Sequence, residues 1–128
     1  MSISSISDSS PVGLVLYTDS ALGNSLSRVK TSSAVLFYIT ANNVANPTTP
    51  VFLKLFDALA ANVVLGTTAP FFVWKIPGGS VSNLVLTTGV SAGFTFLTAL
   101  TAACVLTGGS EGSANPPQNP VSVLFSYV

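Results

Sequence analysis

The sequence has no histidine, a single cysteine, a single tryptophan and only 6% charged residues among 128 positions. Without an imidazole, no Ser-His-Asp or Cys-His arrangement exists to activate a nucleophile, and the commonest zinc ligand set is missing as well. Cys104 has no second cysteine to pair with. It lies within the apolar run 94–106, where a thiol acts as a small hydrophobe. Four bases, Arg28, Lys30, Lys54 and Lys75, balance four acids, Asp8, Asp19, Asp57 and Glu111. A net charge of zero supplies no basic field for a phosphate backbone, so the composition argues against nucleic-acid binding. Asp57 with Glu111 is the one carboxylate pair worth considering for acid/base work, and solvated or turn-stabilising acids are the simpler reading of both. The Gly78-Gly79 and Gly108-Gly109 pairs lack the strand-to-helix setting and following lysine of a phosphate cradle, and read as turns.

The residues that build helix surfaces are equally scarce: one Glu, three Lys, one Gln and one Arg. The polar complement is instead 18 Ser, 13 Thr and 8 Asn, set against 16 Val and 15 Leu. That mixture suits strands joined by turns, and the expected class is all-β. Mean hydropathy is high, at +0.67, and no charge occurs over residues 81–110. Polar residues nevertheless interrupt that stretch from Asn83 to Thr101 too densely for a membrane-spanning helix, so two strands and a turn are expected there and no membrane partner.

Strand-length apolar segments between turn signals fall at residues 12–18, 26–31 (weaker), 34–41, 51–57, 71–76, 81–87, 94–101 and 121–127. They predict a single-domain antiparallel β-sandwich, jelly-roll-like, of seven or eight short strands over residues 12–128. Residues 58–65 could form one helical turn capped by Asp57. Residues 108–120, rich in Gly and Pro, read as an exposed loop. Before the sandwich, residues 1–11 read as a flexible arm without the basic head and apolar body of a secretory signal. Its Ile3 and Ile6 are candidate partner contacts if the arm orders on another protein.

Neither side of the segment 51–57 is cleanly polar: Phe52, Lys54 and Phe56 alternate with Val51, Leu53, Leu55 and Asp57. A two-sheet sandwich covers one side of each strand, so the other should face a loop, a neighbouring subunit or a larger partner. Lys54 and Lys75 interrupt apolar strands. They read as edge lysines that discourage sheet addition, or as interface residues that pair with an acid on a partner. Trp74, with Phe71, Phe72, Tyr17, Tyr38 and Tyr127, serves either the core or, in the alternative of a carbohydrate-binding module of a fibre, a sugar-stacking platform. Zero net charge with 48% hydrophobic residues also favours self-association over a free monomer.

The segments Arg28-Val29-Lys30-Thr31 through Phe37-Tyr38-Ile39, the Asn42-Asn43 turn, Phe52-Leu53-Lys54-Leu55-Phe56-Asp57 and Ile76-Pro77-Gly78-Gly79, in that order and spacing, resemble small tailed-phage virion proteins of β-sandwich or jelly-roll type, including capsid decoration (cement) proteins. The likeness runs over residues 28–128. It implies a structural protein on the outer surface of a bacteriophage capsid, with the major capsid protein and, as a homotrimer, itself as partners. It implies no catalytic residue, cofactor or metal.

Overall fold

A computed structural model describes residues 13–88, 91–109 and 114–128, without the side chains of residues 87, 88, 91 and 92. The described chain is all-β apart from one short 3-10 turn. Eight strands form the body: β1 (Val15–Leu22), β2 (Ser27–Lys30), β3 (Ala34–Asn42), β4 (Val51–Phe56), β5 (Phe72–Ile76), β6 (Val81–Val85), β10 (Leu100–Val105) and β11 (Val121–Tyr127). Three short strands, β7 (Thr87–Thr88), β8 (Ser91–Ala92) and β9 (Phe94–Phe96), lie between β6 and β10.

Pairing defines the topology. The first body strand pairs with the last, β1 with β11; the second with the seventh, β2 with β10; the third with the sixth, β3 with β6; and the fourth with the fifth, β4 with β5. All are antiparallel, and β3–β11 and β4–β10 pairs close the sheets. A long hairpin rolled in this way is a jelly roll. One sheet runs β6-β3-β11-β1, with β9 beside β6 on the same edge of β3, and the other runs β2-β10-β4-β5.

Leu36, Ile39, Val123 and Phe125 from the first sheet meet Leu53, Leu55, Leu100 and Cys104 from the second in one buried cluster. Alternation places Leu53 with Leu55, Leu100 with Cys104 and Val123 with Phe125 on the inward side of the pleat, while Leu36 and Ile39, three apart, share it because β3 has a bulge or irregularity between them. In β4 and β10 the outward side is buried too, and Lys54, Phe56, Thr101, Ala103 and Val105 are all inaccessible. Part of the cover over β10 comes from the segment that follows β4, and Gly108 lies against the Phe52 ring of β4. The Thr101 hydroxyl donates to the Ala58 carbonyl at 2.6 Å, Leu59 to Ala61 line a cavity with Arg28 and Thr101, and Val63 is buried. The outward side of Lys54 and Phe56 on β4 is therefore closed off within the protomer.

Several boundaries differ from the sequence expectation. Residues 94–101 are two strands in different sheets: β9 pairs with β3, and β10 with β4 and β2. The chain changes sheets over Leu97, Thr98 and Ala99, whose N–H groups are taken by the Asp57 carboxylate at 3.0, 2.7 and 3.3 Å. Asp57 thus caps a sheet crossover, not the turn that follows it. That turn is the 3-10 segment Ala60–Asn62, entered through Leu59 with no side-chain cap. The first strand continues through Asp19-Ser20, which looked like a stop, because Asp19 accepts the Ala21 N–H at 2.9 Å and absorbs a bulge against β11. Residues 1–12, including the expected arm, lie outside the described residues.

Candidate interaction surfaces

Of the four sequence-level candidates, Ile3 and Ile6 lie outside the described residues, and the two lysines part company. Lys75 is exposed on β5, the edge of the four-stranded sheet, as an edge lysine should be. Lys54 is not at an edge: β4 lies between β10 and β5, and the side chain is 1% exposed. It sits opposite Val73 on one neighbour and Ala103 on the other, with no hydrogen-bond or ion-pair partner among the described residues. Burial pushes its ammonium below the ordinary value of 10.5, because a low-dielectric site disfavours the charged form. The sequence expectation that both sides of this strand are covered fits its burial, whereas the reading of Lys54 as an edge lysine does not fit its place in a central strand.

Burial also pushes the Cys104 thiol up to about 12, so it is no nucleophile at neutral pH. For Asp57, desolvation raises the carboxyl, but the bonds from Thr98, Leu97 and Ala99 outweigh it and hold the group below 3.8. That acid is committed to backbone; its companion in the carboxylate pair, Glu111, lies outside the described residues. Trp74, Phe72 and Tyr17 pack against the inter-sheet cluster and Tyr127 is buried in it. Phe71 stacks on Phe94 with centroids 5.1 Å apart and meets Phe96 edge-on at 5.2 Å. These rings contact each other or the core, while Phe71 stays half-exposed and Tyr38 is half-buried on the outward side of the other sheet.

At one end of the roll, two buried asparagines fasten three loops. Asn43 Nδ2 donates to the carbonyls of Thr49 (3.0 Å) and Pro77 (3.1 Å), and Asn46 Nδ2 donates to Asn43 Oδ1 and the Asn119 carbonyl, both at 2.8 Å. Asn46 Oδ1 accepts the Asn119 N–H at 3.0 Å. Gly79 N–H closes on the carbonyls of Asn43 and Asn46, and a Cβ at Gly78 would lie 2.5 Å from the Thr49 nitrogen. Sequence reading treated Asn42-Asn43 and Pro77-Gly78-Gly79 as separate turns, whereas they are one hydrogen-bonded unit. At the other end, Lys30 separates two shallow cavities. One, of about 180 Å³, is lined by Arg28, Thr31 and Leu59 to Ala61; the other, about 380 Å³, by Ser33, Thr95 and Leu97. Neither is lined by an acid.

The charge is divided between the sheets. All four cations belong to the four-stranded sheet: Arg28 and Lys30 on β2, Lys54 on β4 and Lys75 on β5. The outward side of the five-stranded sheet carries none. Its registered rows read Leu16, Ser126, Tyr38, Val85, then Thr18, Leu124, Thr40, Asn83, then Ser122, Asn42, Val81. Every one of these is an uncharged side chain, and most are exposed or half-exposed. Comparison with known families, with curated proteins and with solved structures returned no match.

Proposed function

We propose that this protein is a non-catalytic structural component of a tailed-phage virion, which decorates the outer surface of the capsid and stabilises it by bridging neighbouring major capsid proteins. The observation that carries the reading is the uncharged outer face of the five-stranded sheet. Three registered rows of Leu, Val, Ser, Thr, Asn and Tyr make a surface that can be covered without desolvating an ion. The resemblance of residues 28–128 to small virion proteins supplies the partner. The jelly roll is compatible with it, although that fold also serves lectins and so does not choose between functions. A sugar-stacking role is less well supported, since Trp74 packs against the core.

A protein that binds only the assembled shell stabilises it by mass action, contributing about 2.7 kcal/mol per site at a hundredfold excess over Kd. An uncharged contact should also resist salt, because screening acts on ion pairs and not on apolar burial. The test is co-sedimentation of the purified protein with capsids of its own phage that lack it, followed by cryo-electron microscopy. Saturable occupancy of symmetry-related sites that survives several hundred millimolar salt is expected; no binding, or release at modest salt, would overturn the reading.

A further inference from the structure

The two sheets have four edges, and three are guarded against further strand pairing. In the four-stranded sheet, β2 carries Arg28 and Lys30 and is only four residues long, while β5 carries Lys75. In the five-stranded sheet, one edge is divided between the five-residue β6 and the three-residue β9. Short strands and cationic side chains are the usual means of blocking edge-to-edge association. The remaining edge, β1, is eight residues long and, among the described residues, pairs only with β11. Its second half is guarded by Asp19 and the bulge beside it. Its first half is not: Val15 and Leu16 are 43% and 65% exposed, Leu14 just before the strand is 43% exposed, and no charge or proline occurs from Leu14 to Thr18.

We infer that the Leu14 to Thr18 edge pairs antiparallel with the same edge of a second copy of this chain, joining the two five-stranded sheets across a two-fold axis at Leu16. The occupant follows from self-complementarity. An antiparallel register centred on Leu16 sets Leu16 against Leu16, Val15 against Tyr17 and Leu14 against Thr18, so apolar groups meet in every central pair. The same register places Asp19 opposite Gly13 and keeps the two carboxylates apart; moving the centre toward Asp19 would bring in both bulges and then the like charges. A chain of zero net charge adds no long-range repulsion. The contact is isologous and yields a dimer, which distinguishes it from the three-fold assembly that the virion-protein resemblance implies.

The test uses the full chain in solution. Sedimentation equilibrium should give a concentration-dependent dimer, and Leu16→Lys, which sets two ammonium groups face to face at the axis, should give a monomer with an unchanged circular dichroism spectrum. Under mild oxidation Leu16→Cys should cross-link two copies, because directly opposed residues are about 4.5–5.5 Å apart at Cα and within disulfide reach. Thr18→Cys should not, since its counterpart would be about 14 Å away. A protein that stays monomeric at all concentrations, as it would if another segment of its own chain covered this edge, would overturn the inference. So would an oligomer indifferent to Leu16→Lys, or equal cross-linking of the two cysteine variants.

Discussion

Asp57 and Thr98 stand 41 positions apart in the chain and 2.7 Å apart in the fold, with the carboxylate accepting the Thr98 N–H where the chain passes from one sheet to the other. Leu97 and Ala99 donate to the same carboxylate. One side chain at the end of β4 therefore supplies the acceptors that three consecutive amides lose when they leave β9 and have not yet entered β10.

Replacing Asp57 with alanine should destabilise the fold by about 2 kcal/mol, as expected when a charged acceptor is removed and water can reach only part of the gap. The contact also carries a pH dependence. Its folded carboxyl binds a proton less readily than the unfolded one, so the stabilisation is complete above the ordinary value of 3.8 and fades as pH falls through the lowered folded value. Urea titrations from pH 7 down to pH 2 should show a steeper acid loss for the native sequence than for Asp57→Asn.

Lys54→Met should stabilise the protein by ~1–3 kcal/mol at neutral pH, since an apolar side chain of similar length removes a buried charge that has no partner. The sign with pH is opposite to that of Asp57. Because the folded ammonium gives up its proton more easily than the unfolded one, native stability rises with pH between the lowered folded value and 10.5. The advantage of Lys54→Met should shrink over that window. Denaturant titrations of both proteins at pH 7 and pH 10 measure it.

Asn46→Ala should cost about 2 kcal/mol, because it strands Asn43 Oδ1 in a buried setting and removes both part-buried bonds to the backbone of Asn119. Gly78→Ala should be similarly damaging for a steric reason: its Cβ would press on the backbone of Thr48 and Thr49, which has no rotamer to yield. Thermal melts of the two variants, with Asn24→Ala as a comparison whose single bond to the Ala114 carbonyl is exposed, check the ordering.

Cys104 should remain unlabelled by iodoacetamide in the folded protein and react fully in denaturant, since it is buried and its thiol is pushed up to about 12. Labelling at pH 8 with and without urea, read by mass spectrometry, is the measurement. Rapid labelling without urea would show that β10 opens readily.

Both candidate surfaces were only half visible in the residues. Lys54 and Lys75 occupy comparable apolar strands, and nothing local distinguishes them. One became an edge residue and the other a buried one because β4 takes two neighbours and β5 takes one. The asparagine unit was visible as turns, since Asn and Pro-Gly-Gly signal turns wherever they occur. Its joining of residues 43, 46, 77–79 and 119 depends on three loops arriving at one end of the roll, and no local signal carries that.

The sequence by itself determined the class: with too few helix-forming polar residues, and with Val, Leu, Ser and Thr in short runs between Gly, Pro and Asn, the chain had strands and turns as its available local structure. In strands such as β11 it also set which side is apolar, because that follows from a period of two. The tertiary structure alone decided which strands are central and which are edges, that residues 94–101 serve two sheets, and that Lys54 is buried. Those outcomes depend on contacts between residues tens of positions apart, such as Asp57 with Thr98 and Asn46 with Asn119. Their energy exists only once the roll has brought the partners together.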